Sequence, residues 1–118
     1  MLELETNAAK APHEESMDGD VIQVLACLPR EPAAAVISEI ACDIFRLDAR
    51  ASYAVRRKAC GRVRRALCEI ARHMRIYREY RLYDERGRSV PWGQRERYGI
   101  ARADWPAAQG MIAASRNF

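Results

Sequence analysis

Apolar positions recur at helical spacing along three stretches, and then the period changes. The first stretch runs from Asp20 to Leu28, with Val21, Val24, Leu25 and Leu28 on one face. Asp20 suits the N-cap, and Pro29 ends the helix because it has no N–H to continue the ladder. The second runs from Pro32 to Phe45. Pro32 suits the first helical position, and Val36, Ile37, Ile40, Ala41 and Ile44 form its stripe. The third and longest runs from Ser52, an N-cap residue, to His73 or Met74. Val55, Ala59, Val63, Ala66, Leu67, Ile70 and Met74 fall within an arc of about 120° on it. Arg57, Lys58, Arg64, Arg65 and Arg72 lie on the opposite side, while Arg56 interrupts the apolar arc. Gly61 stands in the middle of the basic face, where glycine costs about 1 kcal/mol relative to alanine. It either divides the helix or lets another surface approach closely.

After Met74 the density becomes that of strands. Ile76, Tyr77, Tyr80, Leu82 and Tyr83 predict one strand, and Asp84-Glu85-Arg86-Gly87-Arg88 predicts a turn. Pro91 argues against a central strand. Arg95–Ala103, with Tyr98 and Ile100, predicts the returning strand of a β-hairpin with a long irregular tip. The predicted fold is mainly α with a β-hairpin. Residues 1–19 are read as an acidic flexible tail, 20–103 as the folded domain and 104–118 as a C-terminal extension with a short helix over Ala107–Ser115. The alternative for the tail is that its carboxylates cover the basic face when no nucleic acid is present.

Charge sharpens this picture more than composition does. The 118 residues carry a formal +4, but its distribution is uneven. Residues 1–49 hold three bases and ten acids, giving −7; residues 50–102 hold sixteen bases and five acids, giving +11; residues 103–118 are neutral. Fifteen of the sixteen central bases are arginine, the side chain that best bridges paired acceptors. So concentrated a charge points to an anionic partner.

Several classes of function are set aside. No apolar run reaches the roughly 18–20 residues of a membrane span. The start is acidic with no apolar leader, so a cytoplasmic location without membrane contact is expected. Cys27, Cys42, Cys60 and Cys68 contain no Cys-x-x-Cys pair and are expected as small buried side chains, with no metal and no cofactor. His13 lies in the tail, and His73 sits at a helix end, five residues from Cys68 and off its face. With no phosphate loop and no nucleophile elbow, the chain is not expected to be an enzyme.

Residues Ala51–Lys58 and Arg62–Met74, containing Val63-Arg64-Arg65-Ala66-Leu67 and followed by Ile76, resemble the recognition-helix region of winged helix-turn-helix regulators of bacteria and phages. The order of helix, helix, basic helix and hairpin is similar too, over about residues 20–103. The turn over Arg46–Ala51 is about six residues, longer than the three or four that members of the family often use. The resemblance implies three helices plus a wing, and sequence-specific binding of double-stranded DNA by a transcriptional regulator, as a homodimer on paired half-sites. Ser52, Tyr53, Arg56, Arg57 and Lys58 are the candidates for base edges in the major groove, where a guanidinium bridges guanine O6 and N7. Arg64, Arg65 and Arg72 are the candidates for phosphates, Arg75 and Arg78 of the hairpin are further nucleic-acid-binding candidates, and Arg86 and Arg88 at the hairpin tip are those for the minor groove. Tyr77, Tyr80 and Tyr83 serve as strand packing or as stacking platforms for single-stranded bases. The alternative is a small inhibitor or adaptor, of phage or mobile-element type, whose basic face meets an acidic protein and blocks a nucleic-acid-handling complex.

Overall fold

The computed structural model describes residues 19–116. The acidic tail therefore lies outside the described residues apart from Gly19, which is already helical. Helix α1 covers 19–27, and it is followed by β1 (Ala35–Val36), α2 (Ile37–Phe45), α3 (Tyr53–Ala71), β2 (Ile76–Tyr80), β3 (Glu96–Ile100) and α4 (Trp105–Ser115). The strands form one antiparallel sheet in the order β1–β3–β2. The described chain is thus mixed α/β, with helices packed around a three-stranded sheet rather than beside a lone hairpin.

The second helix starts later than its periodicity predicts. Ala35 and Val36 pair with Tyr98 and Arg97 instead, and α2 begins only at Ile37. Pro32 occupies a turn in which Ala33 N–H donates to the Arg30 carbonyl at 3.0 Å. The outer edge of β3 would otherwise present unpaired backbone groups, and the β-branched Val36 accepts the extended conformation readily. Tertiary pairing outweighs a helical pattern here. The incoming chain also crosses β3 at Gly99, where a Cβ would stand 2.6 Å from the Ala33 carbonyl oxygen and 2.9 Å from that of Pro29. Only glycine admits so close a crossing.

The predicted apolar stripes make the core. Val24, Leu25, Ile40, Val63, Ile70 and Ile100 are all buried, and Ala108 and Ile112 of α4 join the same cluster. α3 runs unbroken through Gly61. Its Ser52 cap is formed, with Oγ accepting from Val55 N–H at 3.2 Å. Val55 is the exception to the stripe, 49% exposed in the first turn. The cysteines also depart from expectation. Cys27, Cys42 and Cys60 are only half-buried, and Cys68 is exposed.

The hairpin continues beyond the paired strands. Arg81 N–H donates to the Arg95 carbonyl and Val90 N–H to that of Leu82, both at 2.9 Å. The tip closes as predicted: Asp84 Oδ1 accepts from the N–H groups of Arg86 and Arg88 at 2.9 Å each, and Gly87 supplies a φ of 76°. Pro91 leads into a 3₁₀ turn over Trp92–Gln94.

Candidate nucleic-acid interface

Helical geometry dictates that burying one stripe of α3 turns the other to solvent. Tyr53, Arg57, Lys58, Arg64, Arg65 and Arg72 are all exposed. Two neighbours in the sequence play different parts. The Arg56 guanidinium turns back, with Nε donating to the Ala51 carbonyl at 3.1 Å and Nη2 to the Asp48 carbonyl at 2.7 Å. It therefore holds the loop between α2 and α3 from inside. Arg57, one position on, makes no such bond among the described residues and points outward.

The five acids of the basic block leave most of this face unpaired, although Glu96 borders a hollow together with Arg64. Glu69 pairs with Arg72 at 3.3 Å and lies 3.6 Å from His73, both at the far end of α3. Glu79 pairs with Arg81 beside it. Asp84 is occupied by the hairpin turn, and Glu96 accepts from the Tyr98 hydroxyl at 2.9 Å. Glu85 is exposed at the tip. Among the described residues, no carboxylate lies within ion-pair distance of Arg57, Lys58, Arg64, Arg65, Arg86 or Arg88.

The sheet brings a further base to this side. Ile76, Arg78 and Tyr80 share one face of β2, opposite Ile100, Tyr98 and Glu96 of β3. Between that face and α3 lie two shallow hollows of about 220 and 210 Å³, both bordered by Ile37 and Arg64. Arg78, Cys68 and Tyr98 line one of them, and Tyr80, Trp92 and the acidic Glu96 the other. The Arg78 guanidinium lies 5.9 Å from the centre of the Tyr98 ring. Burial pushes the Tyr98 hydroxyl pKa up, and its bond to Glu96 adds to the rise, while Arg78 and Arg64 pull the other way.

The remaining predicted residues are distributed unevenly. Ser52 caps the helix. Arg75 sits beyond the end of α3, where its N–H donates to Asp104 Oδ2 at 2.7 Å and its Nε lies 3.8 Å from the same oxygen. Arg86 and Arg88 are exposed at the tip, as their turn predicts. Sequence reasoning missed Trp92, 78% exposed, with the Arg95 guanidinium 4.7 Å from its ring centre. The sign of it in the sequence was an aromatic next to Pro91 in a segment too irregular to be a strand. Arg62, which belongs to the basic block, is instead paired with Asp20 of α1.

The described residues hold no helix long and apolar enough to cross a membrane, and no grouping of three or more metal-ligating side chains. Compared with family models, curated proteins and solved structures, the chain matches none.

Proposed function

We propose that the chain binds double-stranded DNA with the face made by α3 and the β2–β3 hairpin, as a cytoplasmic transcriptional regulator of winged helix-turn-helix type. The element order and the sheet order β1–β3–β2 are compatible with that layout. A major groove admits one helix, and an adjacent minor groove admits an arginine-bearing loop. The sugar–phosphate strand dividing the two grooves then passes between α3 and the hairpin. Arg64 and Arg78 border the cleft there. In this arrangement Arg57 and Lys58 meet base edges, Arg64, Arg65 and Arg78 hold phosphates, and Arg86 and Arg88 enter the minor groove. Arg56 orients α3 from behind. Dimerisation on paired half-sites belongs to the same proposal.

The observation that carries this is the six-residue basic set with no acidic partner among the described residues, lying on one helix face and a hairpin tip. Self-repulsion of such a set weakens the fold, and a polyanion relieves it. Fluorescence anisotropy on labelled duplex DNA at several salt concentrations tests the proposal. Binding is expected at low salt, with log K falling by about 0.9 per phosphate contact for each unit of log salt. Absence of binding to any duplex at low salt rejects it.

A second reading draws support from the hairpin, where Leu82, Tyr83 and Trp92 are 47%, 64% and 78% exposed. Apolar side chains at that density suit an acidic protein partner with an apolar centre. Such a complex would survive nuclease treatment.

A further inference from the structure

We infer that Gly61 is the point at which a DNA base edge comes closest to α3, and that the missing side chain is what admits it. This rests on the duplex-binding proposal above. Two other glycines have internal reasons: Gly99 lies under two carbonyl oxygens and Gly87 adopts a positive φ. Gly61 has neither. Its backbone is that of an unbroken helix, and an added Cβ would meet nothing within 4 Å. Alanine would fit there, and it favours the helix more than glycine does.

The surroundings of Gly61 point outward. It forms part of the floor of an open hollow of about 420 Å³ whose walls include Tyr53, Arg57, Lys58 and Arg65. Positions three and four residues away are its neighbours on the helix surface, so long basic side chains flank a bare patch of backbone. A flat edge with anionic borders matches that shape. In the major groove a base pair presents its edge, including the thymine methyl, while phosphates lie to either side. The edge settles on Gly61 while the flanking bases reach past it. Gly110 of α4 makes the comparison. An added Cβ there also meets nothing within 4 Å, but no charged side chain lies between Trp105 and Ser115.

The test compares Gly61→Ala, Gly110→Ala and Arg64→Ala by thermal melting and by anisotropy on mixed-sequence duplex DNA at low salt. Both alanine-for-glycine variants are expected to melt above the wild type. Only Gly61→Ala should bind more weakly, by about tenfold, the scale of a displaced base contact. If Gly61→Ala binds like the wild type while Arg64→Ala is weakened, the close approach is wrong and the duplex proposal stands. If Gly110→Ala weakens binding equally, the effect is not local to α3 and the inference falls. If the wild type binds no duplex, both fall together.

Discussion

Arg62 on α3 grips Asp20 on α1 with two hydrogen bonds, Nε to Oδ2 at 2.9 Å and Nη2 to Oδ1 at 2.6 Å. The same guanidinium lies 4.3 Å from the centre of the Phe45 ring on α2, so three helices meet at one side chain. The hydrogen bond to Asp20 raises the Arg62 pKa further above its ordinary value, with burial opposing. Arg62 is thereby taken out of the proposed anion-binding set and ties α3 to α1 and α2. A double-mutant cycle with Asp20→Asn and Arg62→Gln should give a coupling of about 1 kcal/mol in urea unfolding, modest because the pair is partly solvated. Arg62→Lys should recover little of it, since an ammonium cannot reproduce the two-pronged contact. Coupling near zero would mean that the ring contact alone holds the junction.

Arg56 and Arg57 are adjacent and should fail in opposite ways. Arg56→Ala removes charge-assisted bonds to the Asp48 and Ala51 carbonyls. It should lower stability by about 1–2 kcal/mol, and DNA affinity should suffer through the loosened loop. Arg57→Ala touches nothing internal, so stability should stay within about 0.5 kcal/mol while affinity drops. Denaturation curves and anisotropy on the same samples separate the two. A large stability loss at Arg57 would contradict its outward placement.

Most of the core is legible in the sequence because one physical term, apolar burial at a 3.6-residue period, sets it. Val21, Val24, Leu25, Leu28, Val63, Ile70 and Met74 lie buried where the pattern places them. The Asp84–Arg88 turn is legible for a different reason: aspartate and glycine there have strong local preferences. Strand β1 is not legible, since Ala35 and Val36 fit a helix equally well and only the distant edge of β3 decides between the two. The candidate site divides along the same line. Helical spacing alone turns Arg57, Lys58, Arg64 and Arg65 outward. The roles of Arg56, Arg62 and Arg75 depend on Asp48, Asp20 and Asp104, partners that spacing within one helix cannot reveal.

Tyr98 gives a dependence on alkaline pH. Burial and the Glu96 bond raise its folded-state pKa above the unfolded value near 10. Between those two values the folded state binds more protons than the unfolded state, so stability falls as pH rises. Its contribution should be whole below about pH 10 and be lost as pH climbs through the folded-state pKa. Tyrosinate absorbance should show one late-ionising tyrosine, absent in Tyr98→Phe. An unchanged titration in that variant would assign the late step elsewhere.

The thiols offer a map of the cleft. Cys68 is exposed and borders the hollow with Arg64 and Arg78. The Cys27 thiol has its pKa pushed up by burial and then by Asp43, which lowers the fraction present as the reactive thiolate. Timed alkylation read by mass spectrometry should modify Cys68 well before Cys27. Saturating duplex DNA should slow Cys68 without changing Cys27. Equal rates for Cys68 with and without DNA would place the sugar–phosphate strand away from this cleft.

Arg57 and Arg72 should separate recognition from grip. Arg57 lies in the second turn of α3, within reach of base edges in a helix entering a groove by its N-terminal half. Arg72 stands at the other end, 75% exposed and 3.3 Å from Glu69, where the proposed docking brings it a phosphate rather than a base edge. Arg57→Ala should cost about 1–3 kcal/mol on a selected duplex and far less on a random one, flattening sequence choice at one position. Arg72→Ala should weaken both duplexes alike and reduce the salt slope by about 1. Because Glu69 already neutralises part of Arg72, the uniform loss should be smaller than that of Arg64→Ala, whose guanidinium has no carboxylate within reach among the described residues. Affinities for the three variants on selected and random duplexes, each at several salt concentrations, check this order. Equal discrimination between the two duplexes by Arg57→Ala and Arg72→Ala would mean that α3 does not enter the groove by its N-terminal half.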